Sequence, residues 1–273
     1  MASAAIRRAI FVVTVLGLIA PTVGGSVPSE TLTAEQKVQF LQHARVVGQR
    51  PLGKGITHPK RLTLTDGSLT HDAVFQSIDK TDQMAHFEGG RVEAFFRDSY
   101  HYNIAAWRLA VLLGIDNMVP VTVERSWNGR TGSLAWWIDW KWDEQMRHDQ
   151  DLKPPDVLDW TRQLYTMRLF TELVYDTDRN TGNLLITEDW RLWMVDFTRA
   201  FRVYPFLQKP ERIQRCSRDV STRLRGLTRE EIEAAVDGHL TSREISGLLK
   251  RRDRIAARLD ELTAERGEKS VYF

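Results

Sequence analysis

The run Leu173-Val174-Tyr175-Asp176-Thr177-Asp178-Arg179-Asn180-Thr181-Gly182-Asn183-Leu184-Leu185-Ile186 decides how this chain reads. Its polar centre lies between a long apolar-periodic stretch and a short aliphatic one. Thirteen residues after Asn183, the hydrophobic run Trp193-Met194-Val195 ends in Asp196-Phe197-Thr198. Three readings compete. A calcium loop puts Asp176, Asp178 and Asn180 at positions 1, 3 and 5, but Gly182 falls at position 7 rather than 6, and Thr187 stands where the bidentate Glu belongs. A plain loop is the second reading, since Asp, Asn and Gly are ordinary turn formers. The third is phosphoryl transfer. It needs a carboxylate to accept or orient the nucleophile's proton, then an amide and a second carboxylate to hold Mg²⁺ against phosphates. Asp178-x4-Asn183 followed by Asp196 has that order and spacing.

Working outward, residues 157–175 read as a helix, with Val157, Trp160, Leu164, Met167, Thr171 and Val174 on one stripe. Residues 184–186 and 192–195 read as two short strands around the turn Thr187-Glu188-Asp189. Beyond them the chain reads as helical. Thr228-x-x-Glu231 and Thr241-x-x-Glu244 form capping boxes, and Ile245, Leu248, Leu249, Ile255, Leu259 and Leu262 make an apolar stripe. Upstream, Pro154-Pro155 marks a boundary. Residues 133–142 and 119–125 read as strands, and residues 98–113 as a broadly apolar helix stopped by Gly114. Residues 62–69 read as strand, Asp-Gly turn and strand, residues 73–79 as a further strand, and residues 30–47 begin with a short helix. The loop Gly53-Lys54-Gly55 leads into this small sheet. The order predicts a two-lobed α+β fold: a β-rich lobe with one helix over 33–142, then a mostly helical lobe over 150–268.

Among the 273 residues are 38 Lys+Arg and 36 Asp+Glu, for a net charge of +2. Arg7 and Arg8 are the only charges in the first 24 residues, and without them the body is neutral. That argues against bulk electrostatic binding of nucleic acid. Arg7 and Arg8 precede an apolar run, residues 9–20, too short to span a bilayer; Pro21 and small residues follow. This layout predicts a signal peptide over 1–25, and so a secreted or periplasmic protein whose mature chain has no membrane span. The single Cys216 forms no intrachain disulfide, so stability comes from packing.

The central run, with Asp196 and Arg199-Ala200-Phe201, resembles the atypical kinases: the protein-kinase-like branch holding phosphatidylinositol kinases, HipA-type kinases and secreted kinases of the four-jointed type. Ala105-Ala106-Trp107-Arg108-Leu109, Leu112-Leu113-Gly114 and Val119-Pro120 are similar to the helix and strand of their N-lobe. The resemblance spans about residues 52–201. It implies a bilobal protein-kinase-like fold, ATP or another nucleotide, and Mg²⁺. By it Asp178 is the catalytic base, Asn183 and Asp196 complete the catalytic set and hold the metal, and Gly53, Lys54 and Gly55 lie over the phosphates. Two departures stand out. Ala73-Val74-Phe75 is followed by Gln76 where a phosphate-binding Lys is expected, and Asn103 replaces the helix Glu that would pair with it. Both halves of that ion pair become amides, and the cation must come from Lys54, Lys60 or Lys80. Gln76 and Asn103 are thus expected to hydrogen-bond across the nucleotide cleft. The acceptor, whether protein, lipid headgroup, sugar or small molecule, is not written in the sequence. A catalytically weak pseudokinase that binds a nucleotide or other ligand is the alternative.

The remaining candidates read as structural. The seven His show no His-x3-His spacing, and His58, His71, His101 and His148 read as surface or turn residues. Trp136, Trp137, Trp140 and Trp142 read as strand core, and Trp190 and Trp193 as packing for the hairpin. Lys250-Arg251-Arg252 reads as a solvated helix face.

Overall fold

The computed structural model describes residues 32–52, 59–86 and 92–273. The expected leader and the Gly53-Lys54-Gly55 loop lie outside these residues.

The chain begins with α1 (Ala34–His43), whose N-terminus is closed by a capping box between Thr33 and Gln36. Five antiparallel strands follow as one sheet: β1 (Arg45–Pro51), β2 (Lys60–Thr65), β3 (Thr70–Gln76), β6 (Thr122–Trp127) and β7 (Arg130–Trp136), in the order β1-β2-β3-β7-β6. Alternation decides which face is covered. Leu62 and Leu64 on β2, Ala73 and Phe75 on β3, Val123 on β6, and Leu134 and Trp136 on β7 are buried. Between β3 and β6 run a separate two-stranded ribbon, β4 (Asp79–His86) with β5 (Val92–Ser99), and helix α2 (His101–Leu113). Most of α2 is enclosed: Ile104, Ala105, Ala106, Trp107, Leu109, Ala110 and Leu113 are buried. A helix apolar on so many sides is a core element. It stops at Gly114, whose φ of 69° lets its N–H reach back to Ala110 O and Val111 O.

The second part is helical around a small sheet, β8 (Trp142–Asp143), β9 (Leu184–Ile186) and β10 (Leu192–Met194), ordered β10-β9-β8. Helix α3 (Glu144–Asp149) follows β8, and α4 (Val157–Val174) is capped by Asp156, whose carboxylate accepts from the Leu158 and Asp159 amides. The tail is α5 (Arg218–Gly226), α6 (Arg229–Val236), α7 (Ser242–Arg266) and α8 (Glu268–Val271). Both expected capping boxes are formed, at Thr228 and at Thr241. Among the described residues no helix is long and apolar enough to cross a membrane.

Several boundaries differ from expectation. Residues 98–100 precede the helix: β5 runs to Ser99, because its backbone pairs with β4 from Asp79↔Ser99 onward. The strand expected over 73–79 ends at Gln76, and the chain turns into β4 instead. β1 is a strand where the sequence suggested only a helix and a loop. The 133–142 strand breaks after Trp136; Trp140 stays exposed, while Trp142 packs on Trp190 with ring centroids 5.4 Å apart.

Arg251 corrects the expectation for the 250–252 run. It is wholly buried, and donates from Nε to Leu173 O at 2.8 Å and from Nη1 to Arg202 O at 2.8 Å and Tyr204 O at 2.5 Å. Burial pulls its guanidinium down to about 10, with Tyr175 and Glu172 opposing. Position 251 falls on the stripe of Leu248 and Ile255, and α7 turns it inward with them. Its carbonyl partners anchor the end of α4 to the 202–204 segment.

Candidate active site

The site is assembled at the end of α4. Tyr175 ends the helix in the left-handed conformation, φ 51°, and turns the chain into the 176–183 loop. Asp176 is buried. Its Oδ1 accepts the Asp178 N–H at 3.0 Å, and its Oδ2 lies 2.5 Å from Arg179 Nη2. A buried carboxylate needs such a partner. Arg179 in turn donates from Nη1 to Asn183 O at 2.9 Å and Val195 O at 2.6 Å, and lies over the Phe197 ring at 4.3 Å. One arginine thus ties the loop to the strand end that carries Asp196. The Val195 N–H adds a bond to Asn183 O at 3.1 Å.

This arrangement sets aside the calcium loop. Asp176 is committed to Arg179, and Asn180 Oδ1 accepts the Gly182 N–H at 2.9 Å. A single 3₁₀ turn, Thr181–Asn183, and then β9 follow, where a calcium loop would enter a helix.

Asp178 is the open carboxylate of the loop, with its side chain 43% exposed and Oδ2 3.5 Å from Arg199 Nη1. Asn183 turns its Nδ2 to Asp178 O at 3.0 Å, which orients its amide oxygen away from that carbonyl. Asp196 is held at φ 56°, a left-handed conformation uncommon for any residue but glycine and least costly for Asp and Asn. Thr198 fixes its carboxylate: Thr198 Oγ1 donates to Oδ1 at 2.9 Å. Desolvation raises the Asp196 carboxyl above the ordinary aspartate range, against the bonds from Thr198 and the charge of Arg179. The carboxyl of Asp98 on β5 contributes to that rise.

The sequence did not single out Asp98. It is buried, its Oδ2 accepts from Arg199 Nε at 3.3 Å, and its Oδ1 has no hydrogen-bond partner among the described residues. Arg199 therefore bridges Asp98 and Asp178. Lys80 stands directly across the ribbon from Asp98, so the two side chains share a face. Asp98 carries no motif signal; only the pairing register reveals it.

The neutral pair forms as expected. Asn103 Nδ2 donates to Gln76 Oε1 at 2.7 Å, both residues being buried. Asn103 does more than pair. It also donates to Ser133 Oγ at 3.1 Å, and its Oδ1 accepts the Phe197 N–H at 2.8 Å. The helix is thus tied by one amide side chain to the sheet and to the Asp196-Phe197-Thr198 turn. Gly132 makes room for this: a Cβ there would lie 2.3 Å from Gln76 O. The ribbon joins the same turn through the Ser99 N–H to Thr198 O at 2.8 Å.

The half-buried Asp196 carboxylate, the Asn183 amide oxygen and the orphaned Asp98 Oδ1 all offer oxygen donors. That is the chemistry a hard divalent cation takes, so the residues present fit such an ion.

No family model matches the chain, and no curated protein matches it by sequence. Solved structures do match. Hydra Fam20, solved with sugar, aligns over 88% of this chain and 92% of its own at a TM-score of 0.63 and 14% identity. The Golgi casein kinase with Mn/ADP bound aligns over 88% of this chain and 78% of its own, at 0.60 and 12%. The Helicobacter pylori proinflammatory kinase CtkA aligns over 83% and 96%, at 0.51 and 10%. The chain therefore has a bilobal, atypical protein-kinase-like fold.

Proposed function

We propose that this protein is a kinase-like phosphotransferase that uses a nucleotide with a divalent cation, Mg²⁺ in the first instance. One observation carries the reading: Arg179 bonds the carbonyls of Asn183 and Val195, Arg199 pairs with both Asp98 and Asp178, and the Asp178 carboxylate stays open to solvent. The Golgi casein kinase, similar in fold, was solved with Mn/ADP, which supports nucleotide and metal binding here.

In this reading Asn183 and Asp196 hold the cation, with Asp98 beside them. The bound cation would neutralise charge on the nucleotide phosphates. Asp178 takes the proton from the acceptor hydroxyl, and its exposure leaves room for that acceptor. Arg199 positions Asp178 and offers a fixed positive charge to the phosphates. Gln76 and Asn103 keep α2 docked without charge. Lys80 supplies the missing phosphate cation, because it shares the Asp98 face of the ribbon; Lys54 and Lys60 are the other two candidates. Gly53, Lys54 and Gly55 are assigned to the phosphates by sequence alone. The lobes correspond to residues 33–142 and 150–268. Residues 1–25 act as an export signal, placing the mature protein outside the cytoplasm. The uncharged Gln76–Asn103 pair favours a second reading, a pseudokinase that binds nucleotide without transfer.

The test is thermal unfolding of the purified chain with ATP and GTP, each with Mg²⁺, Mn²⁺ or Ca²⁺, followed by transfer of labelled phosphate to itself or to added acceptors. A ligand at 100 times its Kd stabilises by about 2.7 kcal/mol. Metal-dependent stabilisation with transfer supports the kinase, and stabilisation without transfer supports the pseudokinase. No stabilisation by any pair overturns both.

A further inference from the structure

A second cluster lies on the other side of α2, away from the residues above. His101 is the first residue of α2, Glu124 lies on β6, and His239 lies between α6 and α7. One ligand atom from each falls within 4.8 Å of the other two. The two imidazoles face each other, His101 Nδ1 to His239 Nδ1 at 2.8 Å. Both rings are half-buried, and Glu124 is exposed at the mouth of a pocket of about 310 Å³ that Gln42, Arg108 and Asp237 also line.

We propose that His101, Glu124 and His239 form a binding site for a borderline divalent metal, Zn²⁺ above all, that staples the first turn of α2 to the α6–α7 loop. Two imidazole nitrogens and one carboxylate oxygen are a zinc-type donor set; Mg²⁺ and Ca²⁺ prefer oxygen throughout. Ligand atoms on a tetrahedral zinc with bonds of about 2.0–2.1 Å lie about 3.3 Å apart, so the cluster needs only a small opening of the histidine pair. The carboxylate is already aimed. Tyr100 Oη donates to Glu124 Oε2 at 3.1 Å, the kind of outer contact that orients a metal ligand. Burial lowers both imidazole pKa values. The pocket leaves space for a water as fourth ligand. The staple would fix α2 two residues from Asn103, yet the site stands independently of any phosphotransfer.

The experiment is a Co²⁺ titration of the full chain after chelator treatment, read by the visible d–d absorption of a four- or five-coordinate ion, with Zn²⁺ added last. The expected result is saturation at one equivalent and loss of the bands when Zn²⁺ displaces the cobalt. His239→Ala and Glu124→Gln remove direct ligands and should weaken binding by more than the roughly 10–100-fold that loss of an outer contact costs, with an unchanged circular dichroism spectrum, while Asp196→Asn keeps the full signal. An unmodified chain that gives no d–d bands overturns the proposal, whatever the variants do. Bands of equal affinity in His239→Ala, or bands lost in Asp196→Asn alone, overturn it too. A histidine–histidine hydrogen bond would then account for the cluster.

Discussion

Two polar centres meet at the Asp196-Phe197-Thr198 turn, one built without charge and the other almost entirely from charge. Above the turn, Asn103 links Gln76, Ser133 and the Phe197 N–H through three hydrogen bonds of 2.7–3.1 Å. Below it, Asp176 and Arg179 form a buried ion pair, and Arg199 spans Asp98 and Asp178. The upper centre holds a position. Neutral amides suffice for that, because each costs less to desolvate than an ion and satisfies several partners at once. In the proposed function the lower centre meets charged ligands and moves a proton, and there ionised groups are kept only where an opposite charge or carbonyl oxygens compensate them.

The largest effect should come from the charged centre. Asp178→Asn should lower phosphate transfer by about 10²–10⁴-fold, since it removes the proton acceptor. Nucleotide-dependent stabilisation should survive. Asp196→Ala should instead abolish the metal-dependent part of that stabilisation. Thermal shift beside a transfer assay separates the two, and an exchange of the two phenotypes would break the assignment of roles.

Arg251 shows how a buried charge is held by carbonyl oxygens, with Glu172 and the Tyr175 ring beside it. Arg251→Leu leaves the carbonyls of Leu173, Arg202 and Tyr204 without their donor. The expected cost is about 3–5 kcal/mol in urea unfolding. A loss below about 1 kcal/mol would mean that water replaces the guanidinium without penalty.

The neutral centre should respond less. Asn103→Leu strands the Phe197 N–H and Gln76 Oε1 at a cost of about 2–4 kcal/mol. Gln76→Lys alone should destabilise by about 1–3 kcal/mol, because it buries a cation opposite an amide. Adding Asn103→Glu should recover much of that loss. A double mutant equal to the sum of the singles would show that the sites are uncoupled and that charge is not what distinguishes the two centres.

The smallest effect is a control on the sheet, away from both centres. Burial works to raise the Asp72 carboxyl, but bonds from Thr63, Arg61 and Arg50 outweigh it and hold the group below the ordinary aspartate value of 3.8. The folded state therefore binds its proton less readily than the unfolded one. The stabilisation is complete above 3.8 and disappears as the pH falls through the folded value. Asp72→Asn should cost about 1 kcal/mol at neutral pH, and urea midpoints should converge with the parent chain in acid.

The sequence itself determined the elements whose signals are local. Helix α4, the β9–β10 hairpin, the Gly114 stop and both expected capping boxes depend on periodicity, backbone freedom or side chains three residues apart. The Asp178, Asn183 and Asp196 spacing was legible for the same reason. The Gln76–Asn103 bond was legible too, because the loss of both halves of an expected ion pair implies a neutral substitute.

Only the tertiary structure decided the rest. Asp98 lies in a stretch that periodicity assigned to a helix, and its place beside Arg199 comes from strand pairing with β4. Arg251 read as a surface cation because its carbonyl partners lie 78, 49 and 47 residues away. His101 and His239, separated by 138 residues, meet only because α2 packs on α6. A local pattern is stabilised by its own neighbours and leaves a trace at fixed spacing. A contact closed across a long stretch of chain depends on how the packed elements are arranged, and no short run of residues encodes that.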